Sequence, residues 1–268
     1  MLMPTVLLTS VLEGQTPTAR SALARYDFRA RPALVQAMPP KLRELSGLAI
    51  LPDQSWIAHN DEEGVLYRRG ASGGAWRPWL AFDRDERRGD FESVVLADGW
   101  LWLQQSDGRR RGHALQQQPS VSDRRQLERA PCEVEALIAT ADAWWAPCKR
   151  AGRAGGVLTV RQPRDGGRWQ AGWRITARQL AAAGLPSELG ISDALVDAAT
   201  GHWLLVAGPE RILLEVTPAG TMIASIALDR ARHPQPEALA LRADGTLLIG
   251  DEGARVGTVV GYAPVRAR

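Results

Sequence analysis

Lysine is nearly missing from this chain. Lys41 and Lys149 are the only two, and the rest of its 33 basic residues are arginine. The arginines are dispersed among carboxylates, as in Asp83-Arg84-Asp85-Glu86-Arg87-Arg88-Gly89-Asp90, and the longest basic run is Arg109-Arg110-Arg111. A formal net charge of +3 and a pI of about 9.2 therefore describe a mixed, solvated surface rather than a basic stripe. No nucleic-acid-binding motif accompanies the charge, and a nucleic-acid partner is not expected.

Histidine and cysteine are scarce too, with four and two copies. His113, His202 and His233 stand alone in the sequence, and no His/Cys group has the spacing of zinc ligands, which argues against a soft-metal site. Cys132 and Cys148 are too far apart for a CxxC pair. Ser46 and His59 fall in one repeat, but without a G-x-S-x-G elbow a serine hydrolase has little support. No apolar stretch reaches the length of a membrane span. The apolar residues 1–12 lack a basic n-region and a small-residue cleavage site. They read as a degenerate signal remnant or as a short strand and assign no compartment.

What is present is turn-rich and apolar. With 26 Gly, 17 Pro and 45% hydrophobic residues, the 268-residue chain suits one folded domain. Ten Trp stand against three Tyr and three Phe. Trp offers a wide apolar plate with a single donor, which suits the gaps between packed sheets.

One pattern recurs five times: an acid or Ser, a small residue, two apolar residues, a turn, then an apolar run with Trp or Leu. The copies begin at Ser46, Glu92, Glu135, Asp193 and Glu237. Each reads as a β-hairpin whose turn carries Asp, Gly or Pro, such as Asp98-Gly99 or Asp244-Gly245. The leads are 46, 43, 58 and 44 residues apart, a period that suits a four-stranded propeller blade. The expected fold is all-β: a five-bladed β-propeller of four-stranded antiparallel blades over residues 22–268, preceded by a partly extended segment at 1–21. After the last hairpin only one outer strand remains, near residues 257–262. The N-terminal stretch, around Ala22–Phe28, is expected to close the ring as the missing strand. The long interval holds Thr176-Ala177-Arg178-Gln179-Leu180-Ala181-Ala182-Ala183 before Gly184 and Pro186, which reads as one short capped helix.

In a propeller the first strand of each blade lines the axis, so the repeat leads gather at one mouth. Four of them are acidic: Glu92, Glu135, Asp193 and Glu237. Converging carboxylates repel unless protonated, bridged by arginine or neutralised by a cation. A hard cation such as calcium takes irregular sets of oxygen ligands, so these four are the candidate metal ligands. The alternative is that they cap strand starts. Ser46 and the ends of the second strands, His59, Asp61, Asp107, Lys149, Asp251 and Glu252, are the candidate ligand-binding residues of the mouth. Asp85, Glu86 and Asp90 add an acidic loop beside it.

The stretch Glu44-Leu45-Ser46-Gly47-Leu48-Ala49 to His59-Asn60-Asp61 resembles the opening of the bacterial SdiA-regulated (YjiK-like) propellers. Gly190-Ile191-Ser192-Asp193-Ala194-Leu195 is similar to their fourth blade. Gln235-Pro236-Glu237-Ala238-Leu239-Ala240 to Ile249-Gly250-Asp251-Glu252 is similar to their last. The resemblance spans residues 22–264. It implies a five-bladed propeller with a calcium site, distantly related to NHL-repeat propellers, and it assigns no biochemical activity. Ala136, Ala194 and Ala238 depart from the family's Gly after the lead residue, and Asp193-Ala194 departs from its Ser-Gly.

Cys132 and Cys148 flank the third hairpin about a turn at residues 140–142, so antiparallel pairing would bring them opposite each other. Bridged, they point to a periplasmic or secreted protein; as reduced thiols they suit the cytoplasm. Three functions fit these features. The favoured one is a calcium-binding propeller that takes a small ligand or protein segment at its mouth. A metal-dependent hydrolase of phytase or lactonase type and a protein-interaction scaffold are the others. A monomer is expected.

Overall fold

In the computed structural model, the residues described are 21–81, 89–115 and 123–265. The segment 1–20 and most of the acidic loop, Asp85 and Glu86 included, lie outside them. Five four-stranded antiparallel sheets form a ring. The first blade is β2–β5 (Leu45–Ile50, Trp56–Asn60, Val65–Gly70, Gly73–Ala81) and the second β6–β9 (Phe91–Ala97, Trp100–Gln105, Arg110–Ala114, Asp123–Gln126). The third is β10–β13 (Ile138–Ala139, Ala143–Pro147, Val157–Pro163, Gln170–Ile175) and the fourth β14–β17 (Ile191–Val196, Trp203–Ala207, Ile212–Val216, Met222–Ala227). The fifth joins β18–β20 (Pro236–Leu241, Leu247–Asp251, Thr258–Tyr262) to β1 (Leu34–Ala37) from the start of the chain.

Each blade buries both faces of its inner strands against its neighbours. Between the first and second lie Ile57, Leu66, Phe91, Val94 and Leu103, and between the fourth and fifth lie Leu204, Val206, Leu213, Leu239 and Ile249. Trp fills the wider seams. Trp102 meets Trp144 edge-on at 5.0 Å between the second and third blades, and Trp145 meets Trp203 at 5.4 Å between the third and fourth. The expected helix is α1 (Ala177–Ala182). Thr176 and Gln179 form its capping box, and Leu180 is sealed in the third seam.

The closing strand lies further along than the sequence suggests. Leu34–Ala37 pairs antiparallel with β20, from Leu34 opposite Gly261 to Ala37 opposite Thr258. The stretch around residues 22–28 is instead a clasp: Leu23–Arg25 is a 3₁₀ turn, and Tyr26 makes one isolated bridge to Pro264. Its backbone is drawn away from sheet geometry by the buried carboxylate of Glu215. That carboxylate accepts the Ala22 N–H (2.7 Å), the Leu23 N–H (3.1 Å), the Ser21 hydroxyl and His202 Nδ1 (2.6 Å). Arg25 pairs with buried Asp197 beside it.

The third blade has the shortest innermost strand, only Ile138 and Ala139 pairing with Trp145 and Trp144. Pro147 explains the break. The Cys148 N–H donates outward to Leu158 O, so the N–H of residue 147 would face inward, and proline has none. One bridge resumes the pairing at Val134 and Cys148. Cys132 and Cys148 stand there at disulfide distance, Cα atoms 5.8 Å apart.

Burial alone would raise the pKa of Glu215, but the hydrogen bonds from Ser21, Ala22, His202 and Leu23 outweigh it and hold the carboxyl below its ordinary value. Its stabilisation is therefore complete above the unfolded-state pKa and is lost as pH falls through the depressed native value. Glu215→Ala strands buried donors and is expected to cost about 3 kcal/mol in urea unfolding at neutral pH. It should also speed proteolysis ahead of residue 34. The stability gap to wild type should narrow in acid; an unchanged midpoint would remove the clasp from the folding energetics.

Candidate functional site

The mouth is built by a repeated backbone irregularity. In four blades the innermost hairpin slips register by one residue. It slips between Leu45 and Gly47, Phe91 and Ser93, Ile191 and Asp193, and Pro236 and Ala238. In the third blade the pairs Val134–Cys148 and Ile138–Trp145 imply the same slip. The residue left over is a β-bulge, and bulges re-aim a side chain away from the sheet. The five left over are Ser46, Glu92, Glu135, Ser192 and Glu237, and all five line one cavity of about 290 Å³.

This corrects the fourth copy of the repeat. Ser192, not Asp193, is its lead residue. Asp193 takes the place of Gly47, Ser93, Ala136 and Ala238 and lines the channel below the mouth. It is buried, accepts the Ala194 N–H (2.8 Å) and reaches the next blade to accept the Leu239 N–H at 2.7 Å. Asp193 therefore ties the fourth blade to the fifth near the axis.

Of the other candidates, the structure brings Asp61, Lys149 and Glu252 to the mouth with Ser46. Three stay away. His59 is fully buried; its Nδ1 lies 2.9 Å from Asn60 O, and its ring covers Gly47, where an added Cβ would stand 2.1 Å from Nε2. Asp251 is buried against His233 Nδ1 at 2.8 Å, and His233 Nε2 meets the Tyr262 hydroxyl at 2.7 Å. Asp107 pairs with Arg109 and Arg129 on a separate cavity beside Cys132.

Asp90, expected beside the mouth, lines it, whereas sequence reading missed Glu44, Gln235 and Ser192 there, as well as Arg150. A signal for most of them exists. Aligning the copies on the buried residues Leu45, Phe91, Val134, Ile191 and Pro236 puts Ser192 in register. It also exposes a second polar position two residues before the lead in four of the five copies, occupied by Glu44, Asp90, Glu133 and Gln235, with Gly190 in the fourth.

The cavity holds seven carboxylates, Glu44, Asp61, Asp90, Glu92, Glu135, Glu237 and Glu252, against two cations, Lys149 and Arg150. Lys149 Nζ pairs with Glu135 and lies 3.5 Å from Glu133. Burial works against its ammonium, but this pairing carries its pKa above the ordinary value. Glu44 pairs with Arg43 at 2.7 Å, and burial dominates several of the other acids. Burial first, then the charges of Glu135 and Asp90, push Glu92 up to about 9. Burial pushes Glu237 to about 7 despite a hydrogen bond from Ser192. Asp61 and Glu252 are also raised, by burial and then by neighbouring acids. Ser46 Oγ donates to Phe91 O at 2.8 Å and approaches Glu92 at 3.4 Å, linking the first two blades. Among the described residues, no three His, Cys, Asp or Glu side chains are gathered closely enough to hold a metal ion.

Glu92 and Glu237 bind their protons more tightly in the native state than in the unfolded chain. Between the ordinary carboxyl value and about 9 the native state therefore carries protons the unfolded state has lost, and stability falls as pH rises. The melting temperature should decline from about pH 5 to about pH 9, and Glu92→Gln should flatten that decline. An equally steep decline in Glu92→Gln would place the titration elsewhere.

No protein-family model matches the chain, and no curated protein matches it in sequence. Solved structures do match in fold. A glutaminyl cyclase of Myxococcus xanthus superposes with a TM-score of 0.58 at 16% identity, over 87% of this chain and 97% of its own. A luciferin-regenerating enzyme gives 0.53 at 8% identity, over 87% and 95%. A candidate gluconolactonase gives 0.53 at 14%, over 83% and 76%. At these identities the likeness is one of architecture: by fold the chain is a five-bladed β-propeller.

Proposed function

We propose that the chain is a binding propeller whose acidic mouth takes a small cationic ligand. One observation carries this reading: seven carboxylates face two cations in a single cavity, and several of the acids are raised in pKa by burial and mutual repulsion. Such a site gains most from an added positive charge, because a cation both pairs with the carboxylates and lowers their proton affinity. The ring of carboxylate and serine oxygens has the donor chemistry of a calcium site, in keeping with the motif resemblance to the SdiA-regulated propellers. Its spacing is that of an open mouth rather than a closed metal cage. An ammonium-bearing small molecule, held by several carboxylates at once, suits it equally. Enzymes and binding modules share this fold, so the reading rests on the mouth and not on the architecture. The Cys132–Cys148 pair favours an oxidising compartment, periplasmic or extracellular.

Calorimetric titration with calcium, with a short aliphatic diamine and with a dicarboxylate as the anionic control tests the reading. One or both cations should bind and the dicarboxylate should not. Glu92→Gln and Glu237→Gln should each weaken cation binding about tenfold, the worth of one lost charge contact. Affinity should rise from about pH 6 to about pH 9 as Glu92 and Glu237 ionise. Binding by neither cation at any pH in that range would discard the proposal in favour of an interaction scaffold.

A further inference from the structure

We propose that the Cys132–Cys148 bridge governs the charge of the mouth by holding Lys149 on Glu135. Three observations converge on it. Pro147 removes the inner-strand hydrogen bond that would otherwise anchor this end of β11, and pairing is lost between the Val134–Cys148 bridge and Ile138. The disulfide sits at the far end of that gap, just past the Val134–Cys148 bridge. It joins the residue just before Lys149 to the segment that carries Glu133 and Glu135, the two carboxylates that Lys149 contacts. Apart from the disulfide, the Val134–Cys148 bridge, with the Lys149 N–H donating to Glu133 O at 2.8 Å, joins these two short segments. Opening the disulfide therefore removes the covalent tie between the two segments and leaves one short backbone bridge to keep the ammonium on its partner.

The bridge is also accessible from one side. Cys148 is buried, whereas Cys132 is half-buried and lines a cavity of about 390 Å³ with Asp107, Arg129 and Glu133. An external dithiol supplies the chemistry. Its thiolate attacks Cys132 Sγ and forms a mixed disulfide; the Cys132–Cys148 bond breaks, and the Cys148 sulfur leaves with the electron pair and takes up a proton. The second thiol of the dithiol then attacks the mixed disulfide and releases Cys132 as a thiol. The protein gains two electrons and two protons, and the dithiol departs oxidised. With Lys149 released, Glu135 is left uncompensated, and the mouth becomes more acidic and holds a cation more tightly.

The functional consequence rests on the mouth being a cation site, but the mechanical link does not, and the two are tested apart. The chain has only two lysines, so a limiting dose of an amine-acylating reagent reads Lys149 against Lys41 by peptide mass spectrometry. Lys41 is two-thirds exposed and serves as the internal standard. Opening the bridge with dithiothreitol, verified by a free-thiol count of two, should raise acylation of Lys149 several-fold relative to Lys41. The double variant Cys132→Ser/Cys148→Ser should match the reduced protein, and Glu135→Gln should raise Lys149 labelling with the bridge closed. Unchanged Lys149 labelling after verified reduction overturns the proposal. So does loss of the near-ultraviolet tryptophan dichroism on reduction, since the bridge would then hold the whole fold rather than the mouth. If labelling rises while affinity for calcium and the diamine stays unchanged, the link stands and the cation reading of the mouth fails.

Discussion

A stack of sheets around an axis buries all its faces only if the ring closes, and here closure depends on the start of the chain hydrogen-bonding to its end. Leu34–Ala37 supplies the outer strand that β20 lacks, and the Glu215 carboxylate fastens the segment just before it to the fourth blade. The two attachments lie on different blades, so the N-terminal stretch straddles the joint between the fourth and fifth. Without it the edge of β20 would be left open to pair with another chain. The inner strands β15, β16 and β19, buried along their whole length, owe that burial to neighbours on both sides.

The closed ring turns a local irregularity into a site. A single β-bulge re-aims one side chain; five bulges at equivalent places around an axis re-aim five side chains at one point. Carboxylates brought together in this way lose water and gain like-charged neighbours, which raises the pKa of Glu92 and Glu237. The acidity of the mouth is thus a property of convergence. On an open strand, in water and without charged neighbours, Glu92 and Glu237 would lack the causes of that rise.

One layer below, the same hairpins do structural work. Asp193 accepts a backbone N–H from the fifth blade, and Gln104 donates to Ala136 O on the third at 3.1 Å. Blade-to-blade hydrogen bonds near the axis complement the apolar seams further out, where burial is non-directional and sets no register. The third blade departs most from the pattern. Pro147 costs it inner-strand pairing, and a disulfide stands where the ladder fails.

The blade count, the hairpins and the capped helix were readable in the chain, because a strand of alternating or continuous apolar residues and a turn of Asp, Gly or Pro are local signals. Glu92, Glu135 and Glu237 were readable as mouth residues for the same reason, and so were Ser46, Asp61, Lys149 and Glu252. Three things were not. A last blade one strand short points to the N-terminal stretch around residues 22–28 as the ring-closing strand, and the strand lies at Leu34–Ala37 instead. Which stretch pairs with β20 is decided by what else competes for the backbone, and Glu215, nearly two hundred residues away, competes for Ala22 and Leu23. Acids lead three of the other four copies and point to Asp193 as the fourth lead; a one-residue bulge gives the position to Ser192, and a bulge is a fact of pairing between strands. His59 and Asp251 have the chemistry of site residues, but packing against Gly47 and His233 turns them inward. The sequence alone determined the architecture, since five local hairpin signals at one period admit few folds. Only the tertiary structure decided which acids share the mouth, because convergence on an axis depends on register and closure, and neither is carried by any single stretch of chain.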